Sequence, residues 1–480
     1  MSLLKPYDNR NYQYYEATSS LCPQCLNVVP AKIILQDGQV QILKYCPEHG
    51  EQIELLEEDA AYHLRKKHYD KPGTKMQVHT AVNRGCPYDC GICPQHDQHA
   101  CIGLIEVTNA CNLNCPMCYA GAGGGQGYLT LSRIEKMMDF LQESEGGSAE
   151  ILQISGGEPT LHPQILEIIE MAKRKSFKYV MLNTNGVRLA EDELFAKALR
   201  SFEGGFEVYL QFDGFKNETY KSLRGDAGKL SHESMLEMKQ QALANLAKYK
   251  IPTTLVVTVT AGVNEDELGK IFHFGLNQPY VRGINFQPAA FFGRRFENSK
   301  DRVTLSGVIQ RLSDQTQNML RKTDFIPLPC NVERVAITYL YKDNKGSFIP
   351  ITRDRKIEEY LGMINNTFVF TIEDALKNAG GSLNSLQGVC DCFKFLKDFR
   401  QIVPFDFFMK SSESKKTYID ENTFRISISS FVDAYNFDLK SMQKECVHII
   451  TPDLRKIPFS AYNTLYRAAD WGQVNAQFDE

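Results

Sequence analysis

The sequence carries no excess of basic charge. Its 54 lysines and arginines face 58 aspartates and glutamates, a formal net charge of −4, which argues against a nucleic-acid partner. No run approaches the ~18 apolar residues that span a bilayer. The first twenty residues, MSLLKPYDNRNYQYYEATSS, have no apolar stretch of the kind a secretory leader needs. The expected compartment is therefore the cytoplasm. There is no internal repeat. The run at 121–127, GAGGGQG, lacks the Lys-Ser/Thr ending of a phosphate-binding loop and reads as a flexible connection. Disorder is excluded as the main state, because 43% of the 480 residues are hydrophobic and 23% charged, ordinary for a chain that buries a core.

What the chain has in quantity is cysteine, 14 residues in clusters. In a chain of this size without a leader, clustered cysteines point to metal or catalysis before disulfides. Residues 1–75 contain Cys22, Cys25, Cys46 and His49. Two alternating runs at 31–35 and 40–44 flank Asp37-Gly38, the signature of a tight β-hairpin. A helix is expected over 57–69. Residues 76–101 hold Cys86, Cys90, Cys93 and Cys101. From 102 to 295, β-branched runs at 103–108, 150–155, 179–183, 207–213, 253–260 and 283–287 alternate with helical stretches at 131–143, 163–173, 190–200, 231–249 and 265–276. That alternation predicts βαβ units and a parallel α/β sheet, curled by right-handed crossovers into a partial or complete barrel. Polar motifs follow the strands, where such barrels place their chemistry. Residues 296–480 are less regular and contain Cys330, Cys390, Cys392 and Cys446.

Three thiolates in the pattern Cys111-x-x-x-Cys115-x-x-Cys118 wrap one face of a 4Fe–4S cluster and leave one iron open. Zinc sites more often present four protein ligands in paired spacings. Cys86, Cys90, Cys93 and Cys101 supply four thiolates, a saturated auxiliary 4Fe–4S site or a structural zinc. His96 and His99 read as supporting or surface groups. Cys22, Cys25, Cys46 and His49 form two knuckles around a hairpin, a rubredoxin or zinc-ribbon arrangement for one iron or zinc ion. The remaining four cysteines, Cys330, Cys390, Cys392 and Cys446, are enough for a second auxiliary cluster or are ordinary buried thiols.

The segment CNLNCPMCY resembles the signature of radical S-adenosylmethionine (SAM) enzymes, with Tyr119 closing it. The resemblance continues through Ser155-Gly156-Gly157-Glu158-Pro159, Asn183-Thr184-Asn185-Gly186 and Gln211-Phe212-Asp213-Gly214, then Arg224. It implies a partial (β/α)6 barrel with a Cys-rich N-terminal metal domain and an α+β C-terminal extension. It implies that SAM chelates the open iron with Glu158 on its ammonium. Asn185 then lies near the ribose, Gln211 or Asp213 holds ribose hydroxyls, and Arg224 holds the carboxylate unless it makes a surface ion pair. An electron from the cluster then cleaves SAM to a 5′-deoxyadenosyl radical that abstracts hydrogen from an inert carbon. A low-potential donor of flavodoxin or ferredoxin type is the implied partner.

The order of the knuckle, the GCPYDCGICPQH segment and the barrel, with Asn285-Phe286-Gln287-Pro288 and Asp433-Ala434-Tyr435-Asn436, looks like the tetraether lipid synthase family and its bacterial relatives. That resemblance implies carbon–carbon coupling of lipid alkyl chains, with peripheral membrane contact. Methylation of a pterin, or modification of a peptide or other small molecule, is the alternative with the same machinery. The aromatic runs at 289–292 and 404–409 would line a lipid tunnel or simply fill the core.

Overall fold

The computed structural model describes residues 11–74, 77–123, 127–147, 149–225, 234–294, 301–343, 345–355, 357–364, 366–368 and 411–467. Cys390, Cys392 and the aromatic run at 404–409 lie outside them.

The N-terminal unit is a four-stranded antiparallel sheet in chain order: β1 (Gln13–Leu21), β2 (Val28–Gln36), β3 (Gln39–Cys46) and β4 (Gly50–Glu57). Gln36 pairs with Gln39 across the Asp37-Gly38 turn, and both turn residues have positive φ, +50° and +77°. That is the geometry a two-residue hairpin of right-handed twist requires. The expected helix at 57–69 is shorter, α1 (Ala60–Lys66) followed by one 3₁₀ turn. The Asp59 side chain caps it by accepting from the Tyr62 amide at 3.1 Å, and β4 takes the residues before it.

All six expected barrel strands form: β5 (Ile102–Glu106), β6 (Ile151–Ser155), β7 (Tyr179–Thr184), β8 (Phe206–Gln211), β9 (Thr253–Val259) and β10 (Val281–Pro288). Each pairs in parallel with the next. The C-terminal part does not stand apart from them. After β11 (Ile326–Pro327), β12 (Val335–Lys342) and β13 (Phe348–Pro350) come β14 (Thr423–Ser429), β15 (Val447–Ile450) and β16 (Lys456–Pro458). β14 lies parallel to β10 and β15 parallel to β5. The partial barrel is thereby extended at both edges to the parallel order β14-β10-β9-β8-β7-β6-β5-β15, inside a twelve-stranded sheet. β12 and β16 cap its edges antiparallel.

Helices pack outside. On α2 (Leu131–Ser144) the buried residues Ile134, Met137, Met138 and Leu141 recur every three to four positions, one apolar face turned to the sheet. Gly103 seats that helix, since a Cβ there would lie 2.2 Å from Leu141 Cδ2. The helix expected at 190–200 is broken into α4 (Val187–Glu191) and α5 (Glu193–Leu199), after α3 (Ile165–Arg174). Asp192 causes the break by capping α5, accepting from the Phe195 amide at 3.0 Å. Further on, α6 (Asn217–Arg224) and α7 (Met235–Lys248) follow β8, and α8 (Leu268–Leu276) follows β9.

Candidate active site

Side chains alternate across a strand, so every second residue of the barrel strands faces its interior. Ile102, Leu104 and Glu106 of β5 and Ile151, Gln153 and Ser155 of β6 line a cavity of about 260 Å³. Cys111, Cys115 and Cys118, all half-buried, line its mouth together with Tyr119, Gly156, Gly157, Glu158, Asn185, Gln211 and Arg224. The strand-end motifs are thus gathered at one end of one lumen. Tyr179, Tyr209, Tyr339, Phe368 and Arg425 line the other end.

The cysteine loop is clamped by the segment after β6. The Gly157 and Glu158 amides donate to the Thr108 and Ala110 carbonyls, each at 2.8 Å. A Cβ at Gly156 would stand 2.3 Å from the Thr108 oxygen, and one at Gly157 2.2 Å from the Ala110 oxygen. Only glycine allows that approach. Burial pushes the Cys111 thiol up to about 12. Thiolates at such a site need an electropositive partner to persist. An iron–sulfur cluster supplies one, and Arg224 already lowers Cys115 against the effect of burial.

Glu158 is 1% exposed. Its Oε1 accepts from the Thr160 amide at 3.1 Å, the Thr160 hydroxyl at 2.6 Å and the Thr184 hydroxyl at 2.7 Å, and its Oε2 accepts from the Asn185 amide at 2.7 Å. Burial raises its pKa while these donors pull it down. One lone pair on Oε2 is left for a ligand ammonium. Asn185 in turn donates from Nδ2 to Asn112 Oδ1 at 2.7 Å, fixing the cysteine loop to the end of β7. Pro159 sits buried at the first position of the 3₁₀ turn that follows Glu158. The Tyr119 hydroxyl accepts from the Ala290 amide at 2.9 Å. Replacing Glu158 with alanine is expected to weaken SAM binding by ~1.5–3 kcal/mol, the loss of one charge-assisted hydrogen bond. Calorimetric titration of the anaerobic protein checks this, and an unchanged affinity contradicts it.

Asp213 and Arg224 form a bidentate pair, Arg224 Nε to Oδ2 at 2.6 Å and Nη2 to Oδ1 at 2.8 Å. Neither side chain is more than 6% exposed, so a surface ion pair is ruled out. Of the two residues expected at the ribose, Asp213 is turned to the protein. Its carboxylate is occupied by Arg224 and the Thr258 amide, while Gln211 is the member of that segment facing the lumen. Arg224 stays on the lumen wall, aimed by Asp213.

Sequence reasoning missed two cations here. Lys239, on α7, is fully buried and donates to the Asn185 carbonyl. Burial first, and then the Arg224 charge, pull it down to about 8. Arg467 lines the lumen and makes a bidentate pair with Glu106 at 3.0 and 2.8 Å. A lysine on an apolar helix face was the only signal for the first. The second depends on the C-terminus returning to β5, which no local pattern announces.

The other described cysteines fall into three groups. Cys22, Cys25, Cys46 and His49 converge with their ligand atoms within 4.8 Å of one another. His49 Nδ1 lies 3.5 Å from Cys22 Sγ and 3.4 Å from Cys46 Sγ, a spacing that fits one tetrahedral ion. Cys86, Cys90 and Cys93 interact electrostatically with one another. Cys101 does not complete that set. It lies with Cys330 and Cys446, because β15 pairs with β5 and brings the residue before each strand together. Among the described residues Cys330 and Cys446 are joined by Cys101; Cys390 and Cys392, expected with them, lie outside the described residues.

A parallel barrel with three thiolates and a buried carboxylate facing one lumen is the arrangement of a radical SAM enzyme. The Radical SAM superfamily matches residues 105–275, and an HMPTM N-terminal zinc ribbon domain matches residues 14–58. The chain is 34% identical over 484 residues to the 7,8-dihydro-6-hydroxymethylpterin dimethyltransferase of Methanocaldococcus jannaschii, covering 94% of each. It is 27% identical over 173 residues to a probable GTP 3′,8-cyclase of Methanothermobacter thermautotrophicus, covering 35% of this chain and 52% of that one. Among solved structures, Streptococcus suis SuiB bound to its precursor peptide SuiA aligns with a TM-score of 0.37 and 12% identity over 46% of each chain. The chain belongs to the family of the Methanocaldococcus enzyme, within the radical SAM superfamily. The family implies SAM and a 4Fe–4S cluster, with further metal at the additional cysteine groups.

Proposed function

We propose that this chain methylates a pterin-like heterocycle, with SAM as the source of the radical and of the methyl carbon. A set of amides and hydroxyls on the lumen wall carries the reading. Its walls include Gln153, Asn183, Asn285, Gln287, Ser427 and Ser429 beside apolar residues such as Leu104, Met181 and Val256, and these amides and hydroxyls match the donors and acceptors of a pterin ring. The likeness over 94% of the chain to a relative named for a dihydropterin substrate supports the same choice.

When bound, the cluster supplies the electron that splits SAM. The chain's own residues do positional work. Glu158 orients the ammonium, Arg224 the carboxylate, and Asn185 locks the cysteine loop against both. A low-potential flavodoxin or ferredoxin delivers the electron, in the cytoplasm.

A second reading, coupling of lipid alkyl chains at a membrane surface, rests on the aromatic rim. Phe431, Phe459 and Tyr119 line the cavity, with the Phe431 and Phe459 ring centroids 4.4 Å apart, and Phe292 packs against Phe459 and Tyr119. Such a rim suits an apolar chain. The readings separate in one incubation of reduced, reconstituted protein with SAM labelled at its methyl carbon, 6-hydroxymethyl-7,8-dihydropterin and phospholipid vesicles. The expected product is a pterin carrying the label. An unmodified pterin beside coupled lipid overturns the proposal in favour of the second reading.

A further inference from the structure

At the end of the lumen away from Cys111, one layer of side chains forms the floor. Lateral pairing runs Tyr209–Thr254–Gly283–Arg425–Tyr339 across β8, β9, β10, β14 and β12, and residues paired side by side point to the same face. Gly283 has no side chain, so Arg425 reaches across β10 and donates from Nη2 to the Thr254 hydroxyl at 2.9 Å. The same nitrogen stands 3.4 and 3.5 Å from the two carboxylate oxygens of Glu207, which is buried two residues before Tyr209 on β8.

Arg425 differs from the other arginines that line the lumen. Arg224 and Arg467 each hold a carboxylate through two nitrogens, at 2.6 and 2.8 Å and at 3.0 and 2.8 Å. Their side chains are 6% and 10% exposed. Arg425 meets its carboxylate loosely, through one nitrogen, and keeps 28% of its side chain exposed while lining the cavity. A guanidinium carries five N–H donors in a fixed fork, so part of this one is left for a ligand. Tyr179, Tyr209 and Tyr339 line the cavity around it. Burial raises Tyr209 and Tyr339, so both hydroxyls stay protonated. Higher on β7, Asn183 donates from Nδ2 to the Ser155 hydroxyl at 3.1 Å, but its Oδ1 is buried with no partner among the described residues. A buried acceptor in that state calls for an N–H from a ligand.

The charge balance selects the kind of group that Arg425 takes. Glu207 already places a carboxylate against the guanidinium, and a second anion beside it would be repelled. A neutral pair of acceptors is not. In a pterin the carbonyl oxygen at position 4 and the ring nitrogen at position 5 stand side by side. Guanine presents the same pair as O6 and N7, and arginine grips it with two N–H donors. Resting on the pterin reading above, we propose that Arg425 recognises this carbonyl-and-nitrogen edge of the substrate ring, with the tyrosine hydroxyls around it, and so turns the opposite edge up toward Cys111, Cys115 and Cys118. Arg425 is then the residue that tells such a ring from an apolar chain.

The test titrates the full, anaerobically reconstituted chain, with SAM present, with 6-hydroxymethyl-7,8-dihydropterin and with its 5-deaza analogue, in which the ring nitrogen is a C–H. The protein is expected to bind the analogue about 10-fold or more weakly. Arg425→Lys keeps a charge facing Glu207 but loses the fork. It is expected to bind the pterin about 10-fold or more weakly and to bind the two rings equally, with SAM affinity as the control for a folded barrel. Equal binding of both rings by the unmodified protein, or an Arg425→Lys protein that still prefers the pterin, overturns the inference and leaves the proposed function standing. Unmodified protein that binds neither ring overturns the proposed function and the inference with it. If Arg425→Lys does not fold, the comparison of the two rings on the unmodified protein decides.

Discussion

Cys115→Ala is expected to abolish reductive SAM cleavage altogether. Three thiolates face the lumen mouth, and two cannot hold a cluster with one iron open to a ligand. Cys115 is also the cysteine that Arg224 touches electrostatically, so its loss removes both a ligand and the link to the carboxylate-binding arginine. The other cysteine groups are built from different segments and keep their metal. The measurement is 5′-deoxyadenosine released by dithionite-reduced protein, with iron content taken on the same sample. Cleavage that persists in the variant contradicts the assignment of the site.

Asp213→Asn is expected to be the most destabilising of the conservative changes in the barrel. Asp213 is wholly buried, and its carboxylate neutralises the almost equally buried Arg224 through two short hydrogen bonds. Removing one partner strands an uncompensated charge, which costs about 3–5 kcal/mol. A surface pair provides the scale. Lys248 and Glu193 lie 2.7 Å apart with side chains 58% and 48% exposed, and water screens exposed pairs of this kind until they contribute little. Thermal unfolding of Asp213→Asn and Glu193→Gln side by side separates the two cases. Equal, small losses would mean that the buried pair does not aim Arg224.

The parts of this molecule visible in its sequence are those specified locally. The six barrel strands, the Asp37-Gly38 turn and the cysteine spacings depend on residues near one another in the chain. β14 and β15 were missed because Thr423–Ser429 and Val447–Ile450 are short, and only their partners β10 and β5 define them. The same cause hid the regrouping of Cys101, since the residues before β5 and β15 meet only when those strands pair. Asp213 shows the same limit of local reading. A carboxylate after a barrel strand looks available to ligand until the arginine on α6 is seen to fold back on it.

The account rests most directly on reductive SAM cleavage by the unmodified, reconstituted protein. With the cluster loaded and dithionite present, it predicts 5′-deoxyadenosine and methionine accumulating together beyond the amount of protein. A sample with full iron at the Cys111–Cys118 site that binds SAM yet releases no 5′-deoxyadenosine would contradict it.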